Sequence, residues 1–144
     1  MLALATIGYE GAPQAAVIAR LVDAGVALVL DVRAIAASRR PGFSKTVLAA
    51  SLAEAGIDYR HLRALGTPKA GRLAARAGRI DEMRTIYEAH LEEPEAQGEL
   101  ALAADLAGRH PCALLCYEAD AQRCHRTLVA ARIRDRLGCE VRDL

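Results

Sequence analysis

Short, unbroken apolar runs alternate along the chain with longer stretches in which apolar residues recur every three or four positions. The unbroken runs lack the polar alternation of a strand with one solvated face, so they predict strands that are buried on both faces. Such strands are predicted at residues 2–7, 26–32 and 112–117. A strand of mixed polarity at 57–61 is predicted to lie at an edge of the sheet, and a last strand is predicted at 139–143.

The stretches between these strands have the apolar spacing and the terminal residues of helices. Pro13 suits the first turn of a helix, and Gly25 ends the apolar stripe that follows it. Ser44 is the predicted N-cap of a second helix, which Gly56 stops. Further helices are predicted at about 80–92, 95–107 and 124–137.

Strands that alternate with helices predict a largely parallel sheet with helices on both faces. We therefore expect residues 1–144 to form one compact, three-layer, Rossmann-like α/β domain with a mostly parallel sheet of about five strands. Residues 62–80 are irregular, and the two helices after them interrupt the alternation. This pattern predicts a helical insertion at roughly 70–108, before the fourth strand, which we expect to form a small lobe or lid.

Composition and charge set limits on the partners of the chain. The 144 residues are 53% hydrophobic and 26% charged, which suits one globular domain. The 19 basic and 18 acidic residues nearly cancel, so bulk charge gives no argument for nucleic acid or a membrane surface. No apolar run approaches the ~20 residues of a membrane span, and the N-terminus lacks the basic segment of a signal peptide. Four cysteines do not suggest a disulfide scaffold, so we expect a cytoplasmic protein with reduced thiols.

Polar side chains follow the predicted strands at their carboxyl ends. In parallel sheets ligands bind beyond those ends, so we expect these side chains to converge on one pocket. The candidate site residues are Tyr9, Glu10, Asp31, Arg33, Ser38, Arg39, His61, Cys116, Glu118, Cys124, His125 and Arg126.

Cys124 is the candidate nucleophile of this pocket. It is predicted at the first turn of a helix, where unpaired N–H groups and the helix dipole favour a thiolate, and Arg123 and Arg126 act in the same direction. The alternative is a small buried residue that packs the helix start. Glu118 is the candidate acid or base, because burial beyond a strand would raise its pKa. The alternative is that Glu118 neutralises neighbouring arginines.

Three arginines are the candidate anion-binding groups. The guanidinium groups of Arg33, Arg39 and Arg126 could bind a phosphate or carboxylate through paired hydrogen bonds. The alternative places these arginines in structural ion pairs with Asp31, Glu118 or Asp120. We expect Asp31 to orient Arg33 rather than to act as an acid or base.

The polar segments also follow one another in an order that resembles a known family. These segments are TIGYEG at 6–11, DVR at 31–33, SRRPGFSK at 38–45, GIDYRHL at 56–62, LG at 65–66, LCYE at 115–118 and CHR at 124–126. On them the chain resembles the domain-of-unknown-function 488 family (DUF488), which implies a compact α/β domain and implies no reaction. The chain lacks the proline that the family often has just after its Asp-Val-Arg, and its middle region is Ala-rich where relatives are often aromatic-rich. The substrate therefore stays open.

Two functional hypotheses follow from these residues. The preferred one is a small enzyme that acts on a phosphorylated or nucleotide-like substrate, with Tyr9 and His61 shaping the pocket. The other is a non-catalytic module that binds an anion, a nucleotide or a nucleic-acid end. Nucleic acid has weak support because aromatic residues are only 3% of the chain. The oligomeric state stays open, with a homodimer through the middle helices as one option.

A third, weaker hypothesis is a metal-dependent hydrolase. Its ligands would come from Cys116, Cys124, His61 and His125. The chain has no short Cys-x2-Cys or His-x3-His pair, and the adjacent Cys124 and His125 would point about 100° apart on a helix. We therefore predict neither a metal nor a cofactor.

Overall fold

The computed structural model describes residues 3–144, which contain a five-stranded sheet with every strand pair parallel. The strands are β1 (Leu4–Gly8), β2 (Leu28–Asp31), β3 (Asp58–His61), β4 (Cys112–Cys116) and β5 (Val141–Asp143), in the order β3-β2-β4-β1-β5. The predicted parallel sheet of about five strands is confirmed, and β3 lies at an edge as its mixed polarity indicated. Residue 2, which the first predicted strand includes, lies outside the described residues.

Six helices connect the strands of the described part of the chain. They are α1 (Gln14–Asp23), α2 (Lys45–Glu54), α3 (Lys69–Arg76), α4 (Ile80–Leu91), α5 (Pro94–Arg109) and α6 (Arg126–Leu137). The helix α3 occupies part of the segment that was predicted to be irregular. Within residues 3–144, none of the helices has the length and apolar character needed to cross a membrane.

The helix α6 begins two residues later than the sequence predicted. A 3-10 turn at Ala121–Arg123 comes first, and the Asp120 carboxylate caps it by accepting a 2.9 Å hydrogen bond from the Gln122 N–H. Cys124 therefore lies between the turn and the helix, with extended backbone, and His125 is the residue that precedes the first turn of α6.

Both faces of the sheet are covered, which explains the unbroken apolar strands. On one face Val29 and Leu115 pack in a core with residues of α1 and α2. On the other face Leu30 and Leu114 pack in a core with residues of α4, α5 and α6. Alternate residues of the same strand thus enter different cores, which gives the predicted three layers.

The inserted helices belong to the second core rather than to a separate lobe. Tyr87 and Leu91 of α4 and Leu100 of α5 are buried with the strand residues. The Tyr87 hydroxyl donates a 2.6 Å hydrogen bond to the carbonyl of Leu65. The expectation of a small lobe or lid was therefore wrong, because these helices present enough apolar surface to pack on the sheet directly.

Gly8 allows the segment after β4 to cross the end of β1. A Cβ atom at this position would overlap the carbonyl group of Glu118 and would crowd the guanidinium of Arg126. The glycine therefore fixes the path of the chain from Cys116 to Glu118.

Candidate functional site

A cleft of about 870 Å³, here called the main cleft, opens at the carboxyl ends of β1, β2 and β4. Most of the predicted site residues line it. They are Tyr9, Glu10, Arg33, Ser38, Arg39, Cys116, Glu118 and His125. The remaining predictions lie elsewhere, since Asp31, Cys124 and Arg126 are buried beneath the surface and His61 lines a neighbouring cleft. That second cleft measures about 970 Å³ and shares residues 34–35, 37, 67 and 72 with the main cleft.

Asp31 is completely buried and acts as the acceptor at the centre of a hydrogen-bond network. It accepts hydrogen bonds from the backbone N–H of Arg33 at 3.1 Å and from the Nε and Nη2 of Arg33 at 2.9 and 2.7 Å. The Tyr59 hydroxyl donates to the same carboxylate, and burial together with this bond raises the pKa of Tyr59. The expectation that Asp31 orients Arg33 agrees with these contacts.

Arg33 uses its guanidinium on protein acceptors rather than on the solvent. Besides the bonds to Asp31, its Nη1 donates to the Tyr9 hydroxyl at 3.1 Å and to the Phe43 carbonyl at 2.8 Å. The carbonyl of Arg33 is 2.7 Å from Nε2 of His61. Arg33 therefore lines the main cleft as a fixed cation whose hydrogen-bond donors already have partners.

The loop after β2 is held by short-range polar contacts that leave one arginine exposed. The Ser38 and Ser44 hydroxyls accept 3.0 Å hydrogen bonds from the N–H groups of Arg40 and Ser38. Arg40 donates to the Tyr9 carbonyl at 3.1 Å and lies over the Tyr9 and Phe43 rings. Arg39 points away from these contacts and is exposed at the rim of the main cleft.

Cys116 and Cys124 meet beneath the main cleft, with their Sγ atoms in bonding contact. This differs from the expectation of reduced thiols, because the fold brings the end of β4 next to the residues before α6. Cys116 is 1% exposed and lines the cleft, whereas Cys124 is 3% exposed and does not line it. The Cα atoms are 7.5 Å apart. The remaining cysteines, Cys112 and Cys139, are free and buried.

Arg126 is the largest completely buried side chain of the described residues. Its Nη1 is 3.2 Å from the Cys116 sulfur and also donates to the Glu118 carbonyl, while Nη2 is 3.3 Å from the Ala119 carbonyl. Within residues 3–144 no carboxylate lies at ion-pair distance from it, and its buried Nε has no hydrogen-bond partner. The predicted anion-binding role would need access to the cleft, which this burial denies.

Glu118 is half-buried beside the Cys116 sulfur. Its Oε2 is 3.5 Å from the Cys116 Sγ. Burial raises the pKa of the Glu118 carboxyl, and the charge of Arg126 opposes that shift. A carboxyl group in this setting can hold or release a proton nearer to neutral pH than an exposed glutamate.

His125 is neutral and its ring is held by the backbone. Burial, the largest effect, lowers the pKa of His125 to about 4. Its Nε2 is 2.6 Å from the Val32 carbonyl, which can only accept, so Nε2 carries the proton. Nδ1 is therefore an unprotonated acceptor, 3.7 Å from the Cys124 sulfur. The Tyr87 ring packs edge-on against the imidazole at 5.1 Å.

Comparison with known families gives a match. The family model described as "Domain of unknown function DUF488" matches residues 14–133, which is most of the chain. The chain belongs to the DUF488 family. Comparison with curated proteins and with solved structures found no significant match. The predicted resemblance is thereby confirmed, and the site must be interpreted from its own geometry.

One group of side chains in the described DUF488 residues has the proximity of metal ligands. The ligand atoms of Cys116, Cys124 and His125 lie within 4.8 Å of one another. His61, the fourth residue of the metal hypothesis, lines the second cleft instead. The guanidinium of Arg126 beside Cys116 disfavours a further cation. The two sulfurs are also in direct contact, so we assign no metal to this group.

Several residues of the DUF488 main cleft were not among the candidate site residues. They include Arg72, Arg76, Tyr117 and Arg123. Arg72 and Arg76 are four residues apart on α3, so recognising that helix would have placed both on one face. Gly71 has a low helix propensity, which obscured the helix in the sequence, and a Cβ at this position would overlap the methyl group of Thr67.

Proposed function

We propose that this DUF488 protein is a small enzyme that binds a phosphorylated or nucleotide-like substrate in the main cleft. The observation that carries the proposal is the combination of exposed arginines around a cleft that Cys116 and the half-buried Glu118 carboxyl line. Within residues 3–144, the side chains of Arg39, Arg76 and Arg123 line the cleft and make no hydrogen bond or ion pair. Such guanidinium groups can bind a phosphate bidentately.

In the described residues, the acidic side chains of the cleft form no ion pair with these arginines. Glu10 uses its carboxylate to accept a 3.1 Å hydrogen bond from the Ala119 N–H. Asp120 caps the 3-10 turn through the Gln122 N–H. The three free arginines therefore stay available for a ligand, and they replace Arg33 and Arg126 in the proposed anion-binding set.

An exposed aromatic ring supports the nucleotide-like part of the proposal. Tyr117 is 44% exposed at the cleft and packs edge-on against Tyr9, with ring centroids 5.4 Å apart. Ile35, on the loop after β2, is 59% exposed and lines the same cleft. A planar base could stack on Tyr117, and stacking of this kind contributes about 1–3 kcal/mol.

Cys116 is the thiol that we assign to the reaction, in place of Cys124. Cys116 lines the cleft, and its sulfur lies next to Arg126, which favours the thiolate in the reduced protein. In the proposed step the thiolate attacks phosphorus, an S–P bond forms and the P–O bond to the leaving alcohol breaks. Glu118 gives its proton to that alcohol, and water then hydrolyses the S–P bond.

Calorimetric titration of the reduced protein with inorganic phosphate and with adenosine monophosphate tests the binding step. Replacing both Arg76 and Arg123 by alanine should weaken binding at least tenfold, because each charged hydrogen bond contributes about 1.5–3 kcal/mol. The matched control replaces Arg134 and Arg136, two exposed arginines of α6 outside both clefts. Equal binding by the two double variants would contradict the proposed anion site.

The alternative is a non-catalytic module that uses the same arginines to bind an anion, a nucleotide or a nucleic-acid end. The Cys116→Ser and Glu118→Gln variants separate the two functions. In an enzyme they should keep phosphate binding and lose turnover of phosphate esters. If the wild-type protein binds a nucleotide or a 5′-phosphorylated oligonucleotide without turning over any phosphate ester, the binding module is the better description.

A further inference from the structure

We infer that Cys116 and Cys124 form a reversible dithiol–disulfide pair, in which a hydroperoxide oxidises Cys116 first and Cys124 then closes the disulfide. The inference deepens the proposed function, because Cys116 is the thiol assigned there to the reaction. It rests on three features of the pair: the contact between the sulfurs, their different access to the main cleft, and the polar groups that surround each one.

The two sulfurs have different access to a reagent. Cys116 is 1% exposed and lines the main cleft, so its sulfur is the one that a small molecule in the cleft approaches. Cys124 is 3% exposed and does not line the cleft, although both cysteines pack in the same core. A hydroperoxide that enters the cleft therefore meets Cys116, while Cys124 is placed to attack only its neighbour.

Each sulfur also has the neighbours that its step requires. Cys116 is 3.2 Å from Arg126 Nη1, a buried cation with no carboxylate at ion-pair distance in the described residues, so a thiolate is its nearest compensating charge. Cys124 is 3.7 Å from His125 Nδ1, which carries no proton and can accept one. The polar surroundings thus assign the first oxidation to Cys116 and the proton release to Cys124.

The oxidation can be written as two balanced steps. In the first, the Cys116 thiolate attacks the terminal oxygen of a hydroperoxide, the S–O bond forms, the O–O bond breaks, and the alkoxide leaves and takes a proton. In the second, the Cys124 sulfur attacks the sulfenic acid, the S–S bond forms and water leaves with the proton of the Cys124 thiol. Two equivalents of a low-molecular-weight thiol return both cysteines to the reduced state.

Disulfide formation also affects the main cleft. The segment between the cysteines carries Tyr117, Glu118 and Arg123, which line the cleft. Oxidation thus joins the two ends of this segment and removes the thiol that the proposed reaction uses.

The other two cysteines provide an internal control. Cys112 and Cys139 are buried and free. Burial raises the pKa of the Cys112 thiol to about 12, so it remains a thiol at neutral pH. Both control cysteines should stay unmodified under conditions that oxidise the pair.

The test treats the folded, fully reduced protein with hydrogen peroxide and reads the products by mass spectrometry. A Cys112→Ala background is used, since trypsin leaves Cys112 and Cys116 in the same peptide. We expect a loss of two mass units and a peptide pair that joins 110–123 to 124–126, reversible by dithiothreitol. In Cys124→Ser a sulfenic acid should persist at Cys116 and be trapped by dimedone, and in Cys116→Ser the residue Cys124 should stay reduced.

Three results would overturn the inference. One is oxidation of Cys116 that is no faster than that of Cys139 in the same sample. Another is a Cys116 sulfenic acid that accumulates equally with and without Cys124. The third is one zinc ion per chain that is lost on replacement of either Cys116 or Cys124, since the pair would then be a ligand set.

The failure of this inference can be told apart from failure of the proposed function. The mass measurement needs no substrate, and phosphate titration of the Cys116→Ser variant needs no redox chemistry. If the disulfide forms but the protein does not bind phosphate, the proposed function is wrong and the redox inference stands. If the protein binds phosphate but the disulfide never forms, the redox inference is wrong and the proposed function stands.

Discussion

Arg126 approaches Cys116 from inside the protein, with its Nη1 3.2 Å from the sulfur and its whole side chain buried. The same guanidinium donates to the carbonyl of Glu118, so it also holds the segment that follows β4. A buried cation without a carboxylate partner is costly unless another group compensates its charge. In the described residues the Cys116 sulfur is the neighbour best placed to do so.

Replacing Arg126 by methionine should slow alkylation of Cys116 at pH 7 by about tenfold or more, because the thiolate loses its nearest positive charge. Arg126→Lys should retain part of the reactivity. The variant should fold, since a buried unpaired charge gives way to an apolar side chain of similar length. The measurement is the rate at which the reduced protein reacts with iodoacetamide as a function of pH, with Arg132→Met as the control. An unchanged pH profile in Arg126→Met would contradict the role.

Asp31→Asn should destabilise the protein by about 3–5 kcal/mol, because it leaves the buried Arg33 guanidinium without its charged partner. Urea unfolding followed by circular dichroism measures the loss. The control is Asp105→Asn, which breaks the exposed pair between Asp105 and Arg109 and should cost about 1 kcal/mol or less. Similar losses in the two variants would contradict the central position of Asp31.

Gly8→Ala and Gly98→Ala should change stability in opposite directions. A Cβ at Gly8 overlaps the Glu118 backbone, so the variant should lose at least about 2 kcal/mol and displace the segment after β4. Gly98 lies exposed within α5 with no neighbour in the way of a Cβ, so alanine should add about 0.5–1 kcal/mol. The thermal midpoints of the two variants and the wild type test both signs.

His125 should make the protein less stable as the pH falls from about 6.5 to about 4. Burial lowers the pKa of His125 to about 4 from an ordinary value of 6.5, so the unfolded state takes up its proton first. The contribution of neutral His125 to the free energy of unfolding is complete above about pH 6.5. At most about 3 kcal/mol of it is lost by about pH 4. Urea unfolding of the wild type, His125→Gln and the exposed-site control His110→Gln should show a weaker pH dependence for His125→Gln alone.

The main features of the fold followed from local patterns. The run Cys112–Cys116 lacks polar alternation, and in the structure its residues enter two different cores. The mixed polarity of Asp58–His61 placed it at a sheet edge, where the structure also places it. These predictions succeeded because the spacing of apolar residues along a strand depends directly on whether one or both of its faces are buried.

The site was predicted less completely, because access depends on neighbours that are distant in sequence. Cys124 had the sequence context of a reactive thiol, yet Cys116 is the cysteine that faces the main cleft. Arginine is a residue type that commonly binds anions, yet the fold buries the side chain of Arg126 completely. Arg76 was predicted to lie in an irregular segment, whereas the structure places it in α3.

The sequence alone therefore determined the succession of the strands and of five of the six described helices along the chain, the parallel sheet, and the edge at which polar residues collect. Each of these depends on local periodicity and on the geometry of parallel strands. Only the tertiary structure decided that residues 69–76 form α3, that Cys116 meets Cys124, that Arg126 lies against Cys116, and which arginines stay free. Those relations depend on how α3 packs on α4 and how α6 packs against β1 and β4. The local residue pattern does not predict that packing, because it depends on contacts between different segments rather than on spacing within one segment.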